Sequence, residues 1–193
     1  MGGKESEGPA VLAWSPLICS DGPTSAFFVP CGIRFGSNSE WYFKHLAGLQ
    51  QTSGSIGWLS LDFSPAVWSD TRNISICQNL SSTAATLETP RGVAAASWRC
   101  GAAVASAFVP PLTAAAVAAR FYYNVTVPIG SAATARLPTM GTTPSAVQIT
   151  ESGRLVWSQG GFAPGVPGVA SAKVVGTAVS FKIGSGTYRF AVV

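Results

Sequence analysis

The stretch from Ser82 to Trp98 constrains the fold most. It reads as a strand, a tight turn and a second strand. Thr89-Pro90-Arg91-Gly92 is the turn: proline presets φ at the second position and glycine closes the fourth, as a type I turn prefers. Small and β-compatible residues flank it, Ala84 to Leu87 on one side and Val93 to Trp98 on the other. An indole at Trp98 carries too much apolar area to leave in water, so it is expected to anchor the hairpin to a core. The hairpin is read as the opening one of a β-sandwich.

The rest of the chain repeats this grammar. Leu59, Leu61 and Phe63 alternate with Ser60 and Asp62, the mark of a half-buried strand. Ile74 and Ile76 share one face of a further strand over Asn73–Gln78. Phe121, Tyr123, Val125 and Val127 alternate before a Pro128-Ile129-Gly130 break, and Ala133, Ala135 and Leu137 alternate up to Pro138. Val147 and Ile149 lead into the turn Glu151-Ser152-Gly153-Arg154, and Leu155 and Trp157 lead out. Gly160–Gly168 reads as a loop. Val179, Phe181 and Ile183, then Tyr188, Phe190 and Val192, form two closing strands around Gly184-Ser185-Gly186. Roughly eight to ten short strands separated by turns fit an antiparallel sandwich. The composition agrees: of 193 residues only 10% are charged against 47% hydrophobic, with 21 glycines and 13 prolines to make turns.

One helix interrupts the strands. Ser37 to Leu49 carries a capping box, Ser37-x-x-Glu40, and an apolar stripe of Trp41, Leu46 and Leu49 with Phe43 or His45 beside it; Gly48 offers a C-terminal stop. About three turns are too few to stand alone, so the helix must dock on something. Residues 1–35 are irregular, although Phe27-Phe28-Val29 could form a short strand. The alanine-rich run from Arg99 to Arg120, with Pro110-Pro111 in its middle, reads as a long loop between strands.

Several function classes recede on these residues. The net charge is +4, but Lys and Arg are scattered, so no nucleic-acid partner is expected. No run reaches the roughly 18 apolar residues of a membrane span, so no membrane partner is expected either. The single His45 and the lack of any CxxC argue against structural zinc. No nucleophile elbow or phosphate cradle occurs, and no cofactor is expected. The four cysteines, Cys19, Cys31, Cys77 and Cys100, allow three disulfide pairings, with free, partly buried thiols as the expectation. Trp157 and Trp68, near turns, are the candidates for stacking on sugar rings, with core packing the competing role. Asn73, Asn79 and Asn124 each open an Asn-x-Ser/Thr sequon, a glycan acceptor in a secreted protein. They tilt localisation towards secretion.

Three stretches together resemble the C-terminal end of bacterial-type α-L-rhamnosidases: Phe35-Gly36-Ser37 with Glu40 to Gly48, Thr89-Pro90-Arg91-Gly92 leading to Ser97-Trp98, and Val125-Thr126-Val127-Pro128 followed by Ala133 to Pro138. The tail Gly184 to Phe190 is similar to that family's closing strand. The resemblance implies a mainly β fold, an antiparallel β-sandwich preceded by one short α-helix that ends an (α/α)6 barrel. It implies three parts: an irregular segment over 1–35, a barrel-type helix remnant over 36–49 and the C-terminal β-sandwich over 50–193. It also implies a family activity, the inverting hydrolysis of terminal α-L-rhamnose, which uses one carboxylic acid and one basic carboxylate.

The family's catalytic acid and base lie on the barrel, before this region, so the resemblance brings no catalytic residue to this chain. Its Asn-His step is replaced here by Cys31-Gly32. The chain's own acids are Glu5, Glu7, Asp21, Glu40, Asp62, Asp70, Glu88 and Glu151. They read as a helix cap, turn flanks and solvated surface groups. The expected role is therefore the non-catalytic C-terminal portion of a rhamnosidase-like glycosidase, packed on a catalytic barrel. The alternative is a stand-alone sandwich that binds a rhamnose-containing carbohydrate.

Overall fold

Two rows of inward side chains face each other across the molecule, and the strand register explains both. A computed structural model describes residues 39–65, 77, 80–101 and 120–193. Residues 1–38, the strand expected over Asn73–Gln78 (apart from Cys77), Trp68 and most of the alanine-rich loop lie outside the described residues, as do Asn73 and Asn79.

The strands are β1 (Leu49–Gln51), β2 (Ser60–Phe63), β3 (Ser82–Thr89), β4 (Gly92–Cys100), β5 (Phe121–Val127), β6 (Ala132–Pro138), β7 (Ile149–Glu151), β8 (Arg154–Ser158), β9 (Gly161–Phe162), β10 (Val169–Val175), β11 (Ala178–Ile183) and β12 (Gly186–Val192). They form a five-stranded sheet in the order β1-β2-β6-β11-β10 and a seven-stranded sheet in the order β3-β4-β5-β12-β7-β8-β9. Pairing is antiparallel except between β2 and β6. The β-sandwich expected from the alternating pattern is the fold observed.

Phe121–Val127 shows why the pattern works. Its aromatic and β-branched residues suit a pleated ladder, and Phe121, Tyr123, Val125 and Val127 are all buried. In register with them lie Trp98 and Phe190 beside Tyr123, and Cys100 and Val192 beside Phe121. The opposing sheet alternates large and small along one row: Phe63 pairs with Ala135, and Ala135 with Phe181. Phe181 then reaches across to Phe190, ring centroids 5.3 Å apart. Interdigitation of this kind fills the space between sheets at crystal-like density.

The structure corrects several expectations. The helix does not run to Leu49. Residues 39–41 are helical and lead into a π-wound segment, Tyr42–Ala47 (α1), which Gly48 closes at φ 76° by donating its N–H to the Phe43 carbonyl, five residues back. Leu49 is the first residue of β1. The wider winding also rotates the buried face, because a π-turn takes more residues than the 3.6 that an α-helical stripe assumes. Phe43 packs on the core and Ala47 is buried, whereas Trp41, expected in the apolar stripe, is 50% exposed.

Leu59 is exposed rather than buried, since Trp58 takes a left-handed φ of 61° just before β2 and breaks the alternation. The Gly160–Gly168 loop contains β9. Cys77 and Cys100 are not free thiols; they form a disulfide with Cα atoms 5.9 Å apart. Among the described residues no helix is long and apolar enough to cross a membrane.

Candidate functional site

Two ends of the sandwich concentrate the polar contacts that tie distant segments together. The first holds α1. A helix ends with carbonyls that have no intrahelical donor, and the last two of α1 find donors in the core row. Trp98 Nε1 donates to the Leu46 carbonyl at 2.8 Å, and the Tyr123 hydroxyl donates to the Ala47 carbonyl at 3.3 Å. Trp98 and Tyr123 are register partners on β4 and β5. Burial alone pushes the Tyr123 phenol well above its ordinary pKa, so it stays protonated as a donor.

Gly48 fixes the same junction from the backbone. A Cβ there would sit 2.2 Å from the Ser64 carbonyl group, and the Ser64 N–H donates to the Gly48 carbonyl at 2.7 Å. The Cys77–Cys100 disulfide ties a separate segment to the end of β4 two residues beyond Trp98.

The outward side of α1 is aromatic. Trp41 and Tyr42 are 50% and 46% exposed, edge to face at 5.6 Å, and the His45 ring lies 5.5 Å from Trp41. Glu40 pairs with Lys44 on the next turn. A hydrogen bond from Lys44, and secondarily its charge, hold the Glu40 carboxyl below its ordinary pKa.

The second end gathers loops. Arg91, at the β3–β4 turn, donates through Nε to the Gly57 carbonyl at 2.8 Å and through Nη1 to the Gly130 carbonyl at 3.4 Å. Ser131 donates to Trp58 and Ser185 to Ser131. The Tyr188 hydroxyl lies 3.2 Å from the Gly168 carbonyl and 3.1 Å from that of Gly184, bridging the two loops. A Cβ on Gly168 would fall 2.2 Å from that hydroxyl.

The carboxylates within the described residues do not share a surface. Asp62 pairs with Thr134 on the outer face of the five-stranded sheet, and Glu88 lies on the exposed face of β3. Glu40 belongs to the helix. Glu151, expected as a solvated turn flank, is buried instead: it sits in the inward row beside Phe190, where Oε1 accepts from the Ser152 hydroxyl at 2.7 Å and from the Arg189 N–H at 3.2 Å. Its carboxylate organises the β7–β8 turn. An inverting glycosidase needs two carboxyl groups about 6.5–9.5 Å apart across a sugar, and the register offers no two of these four a common cleft. Among the described residues no three His, Cys, Asp or Glu side chains group as a metal site.

Trp157, the sugar-stacking candidate, is corrected in the same way. It is 3% exposed, in register with Ile149, and its Nε1 donates to the Pro144 carbonyl at 2.8 Å. The ring packs in the core and leaves no face for a sugar. Asn124 is exposed, on the outer face of β5. Sequence reasoning missed the two helix-holding donors: Trp98 and Tyr123 were legible as core residues, but hydrogen bonds to residues 52 and 76 positions away leave no local pattern.

No protein-family profile matches the chain, and no curated protein sequence does. Solved structures do. The chain is similar to an α-L-rhamnosidase from Dictyoglumus thermophilum, with a TM-score of 0.54 and 20% identity over 82% of this chain and 13% of that one. It is also similar to a Streptomyces avermitilis α-L-rhamnosidase complexed with L-rhamnose, with a TM-score of 0.50 and 19% identity over 82% of this chain and 11% of that one. The class defined is a rhamnosidase-like β-sandwich, and the resemblance seen in the sequence is matched in the fold. The chain spans only about an eighth of the length of the enzymes it resembles.

Proposed function

We propose that this chain is the accessory β-sandwich of an α-L-rhamnosidase-like glycoside hydrolase, acting on terminal α-L-rhamnosyl groups through a catalytic unit that is not among the described residues. Its own role is to brace that unit. The observation that carries this reading is the coincidence of a rhamnosidase-like fold with a helix held on one side by Trp98 and Tyr123 and offering Trp41 and Tyr42 on the other. Exposed aromatic area of this kind marks contact surfaces. The scattered carboxylates favour a bracing role over chemistry, and with Trp157 buried the stand-alone sugar-binding reading is left with Trp68, outside the described residues, as its stacking candidate.

The test has two arms. The purified chain should release no rhamnose from an aryl α-L-rhamnoside; turnover by the chain alone would overturn the bracing role. An immunoblot of source cells with an antibody to the C-terminal tail should show a band well above the 19.8 kDa of this chain. A band at 19.8 kDa, with no rhamnosidase activity co-purifying, would overturn the proposal.

A further inference from the structure

The exposed face of the seven-stranded sheet carries a feature that bracing does not use. Asn124-Val125-Thr126 is a sequon set in the middle of β5, whose register partners on either side are Ser97 of β4 and Arg189 of β12. Strand alternation turns Asn124 outward while Val125 is buried. On the β4 side its surroundings are small or drawn aside, and on the β12 side the exposed Arg189 lies beside it. Ser97 is a short side chain, and Arg99, one pair further along β4, is held over the Tyr122 ring at 4.1 Å. The Thr126 hydroxyl meets that of Thr187 at 3.2 Å.

A second observation bears on whether the sequon is ever used. Cys77 and Cys100 are disulfide-bonded. Structural disulfides form and persist in oxidising compartments, and the secretory pathway is one of them. An Asn-x-Ser/Thr sequence is a glycan acceptor in that compartment and is inert in the cytosol. The bond and the sequon are independent features of the chain, and they agree.

We infer that Asn124 is an N-glycosylation site and that its glycan covers the outer face of the seven-stranded sheet. The reaction is a glycosyl transfer from a lipid-pyrophosphate-linked oligosaccharide. The Asn124 Nδ2 forms a bond to the anomeric carbon, and the bond from that carbon to the pyrophosphate oxygen breaks. The lipid pyrophosphate leaves with the bonding pair, and one amide proton goes to solvent. Nothing is oxidised or reduced. Because the folded β5 backbone is laddered on both sides and Thr126 is engaged with Thr187, transfer takes place on the unfolded chain, and the outward side chain then lets the sandwich close without moving the glycan.

The glycan also gives a weakly charged chain, with 10% charged residues, a strongly hydrated face. It bars a second domain from that sheet, leaving the helix end free for one. The inference stands on the sequon, the exposure and the disulfide, and it survives failure of the rhamnosidase reading.

The test is peptide mapping of the protein purified from its source cells. Peptide N-glycosidase treatment in heavy-oxygen water should convert Asn124 to labelled Asp. In the same cells Thr126→Ala should lose one glycan's mass, while Thr126→Ser, which keeps the acceptor hydroxyl, should retain it; Asn124→Gln should match Thr126→Ala. Recovery of Asn124 as unmodified asparagine in the native protein would overturn the inference. So would a Thr126→Ala protein carrying as many glycans as the parent, or Cys77 and Cys100 recovered as free thiols.

Discussion

The two ends of the sandwich solve the same problem with different chemistry. At the helix end, segments far apart in sequence are joined by buried donors, Trp98 and Tyr123, and by a disulfide. At the loop end the exposed guanidinium of Arg91 shares that job with the hydroxyls of Ser131 and Tyr188, both buried residues. The bond lengths are similar, but the consequences of breaking them are not. A buried carbonyl stripped of its donor keeps its full desolvation cost, whereas an exposed one turns to water. The bonds that hold α1 are therefore costly to break, whereas the exposed Arg91 bonds at the loop end tolerate change. That asymmetry suits a module that bears on a neighbour through α1.

Predictions that would break this contrast run from large to small. Gly48→Ala should be the most damaging, because it meets both a left-handed φ of 76° and the Ser64 backbone at 2.2 Å. Backbone cannot yield as a flexible side chain does, so a loss above about 4 kcal/mol is expected, read as absence of a cooperative urea transition. A folded Gly48→Ala protein of parental stability would refute the junction. Replacing Cys77 and Cys100 together by alanine removes a cross-link spanning 23 positions. It should lower the unfolding free energy by about 3 kcal/mol, seen as a lower urea midpoint. Trp98→Phe keeps most of the apolar bulk but strands the Leu46 carbonyl, at about 1–3 kcal/mol, with α1 showing faster amide exchange while β10–β11 is unaffected.

The Tyr123 phenol gives a pH signature. Burial lifts its folded pKa well above the ordinary tyrosine value of about 10, so the folded state holds the proton more tightly than the unfolded state. The contribution is intact below pH 10 and is lost as the pH rises above it. The unfolding free energy should decline from about pH 10 upward, and less steeply in Tyr123→Phe, with Tyr188, whose pKa is also raised, supplying part of the remainder. An identical alkaline slope in the mutant would remove Tyr123 from the account. Smallest of all, Arg91→Ala at the loop end should cost no more than about 1 kcal/mol and leave α1 exchange unchanged.

What the sequence made legible follows from the same physics. β5, β6 and β12 each have one face on the core, and period-two alternation reports that condition directly; β11 alternates in sequence although Ala178 and Ser180 are buried as well. β10 escaped because it is an edge strand with a register shift after Val169; most of its residues are exposed, and Val169–Val175 shows no alternation. β1 and β9, at three and two residues, are too short to carry a period. The helix was legible through Gly48, but its buried face was not, since the π-type winding breaks the 3.6-residue rule used to find it. Four cysteines do not specify a pairing; the proximity of Cys77 to the end of β4 does. At the candidate site, the sequence offered Trp157 for its place near a turn, whereas the exposure of Trp41, beside Tyr42, was hidden by its apparent place in an apolar stripe.

The proposed bracing role rests most on α1 having one face held by the sandwich and an exposed aromatic face on the other side. Hydroxyl-radical footprinting of Trp41 and Tyr42, in the purified chain and in the native protein from source cells, tests this directly, with buried Trp98 as the internal reference. Both residues should be oxidised readily in the isolated chain and protected in the native protein, while Trp98 stays protected in each. Equal oxidation of Trp41 and Tyr42 in the two preparations would contradict the claim that this helix braces a neighbour.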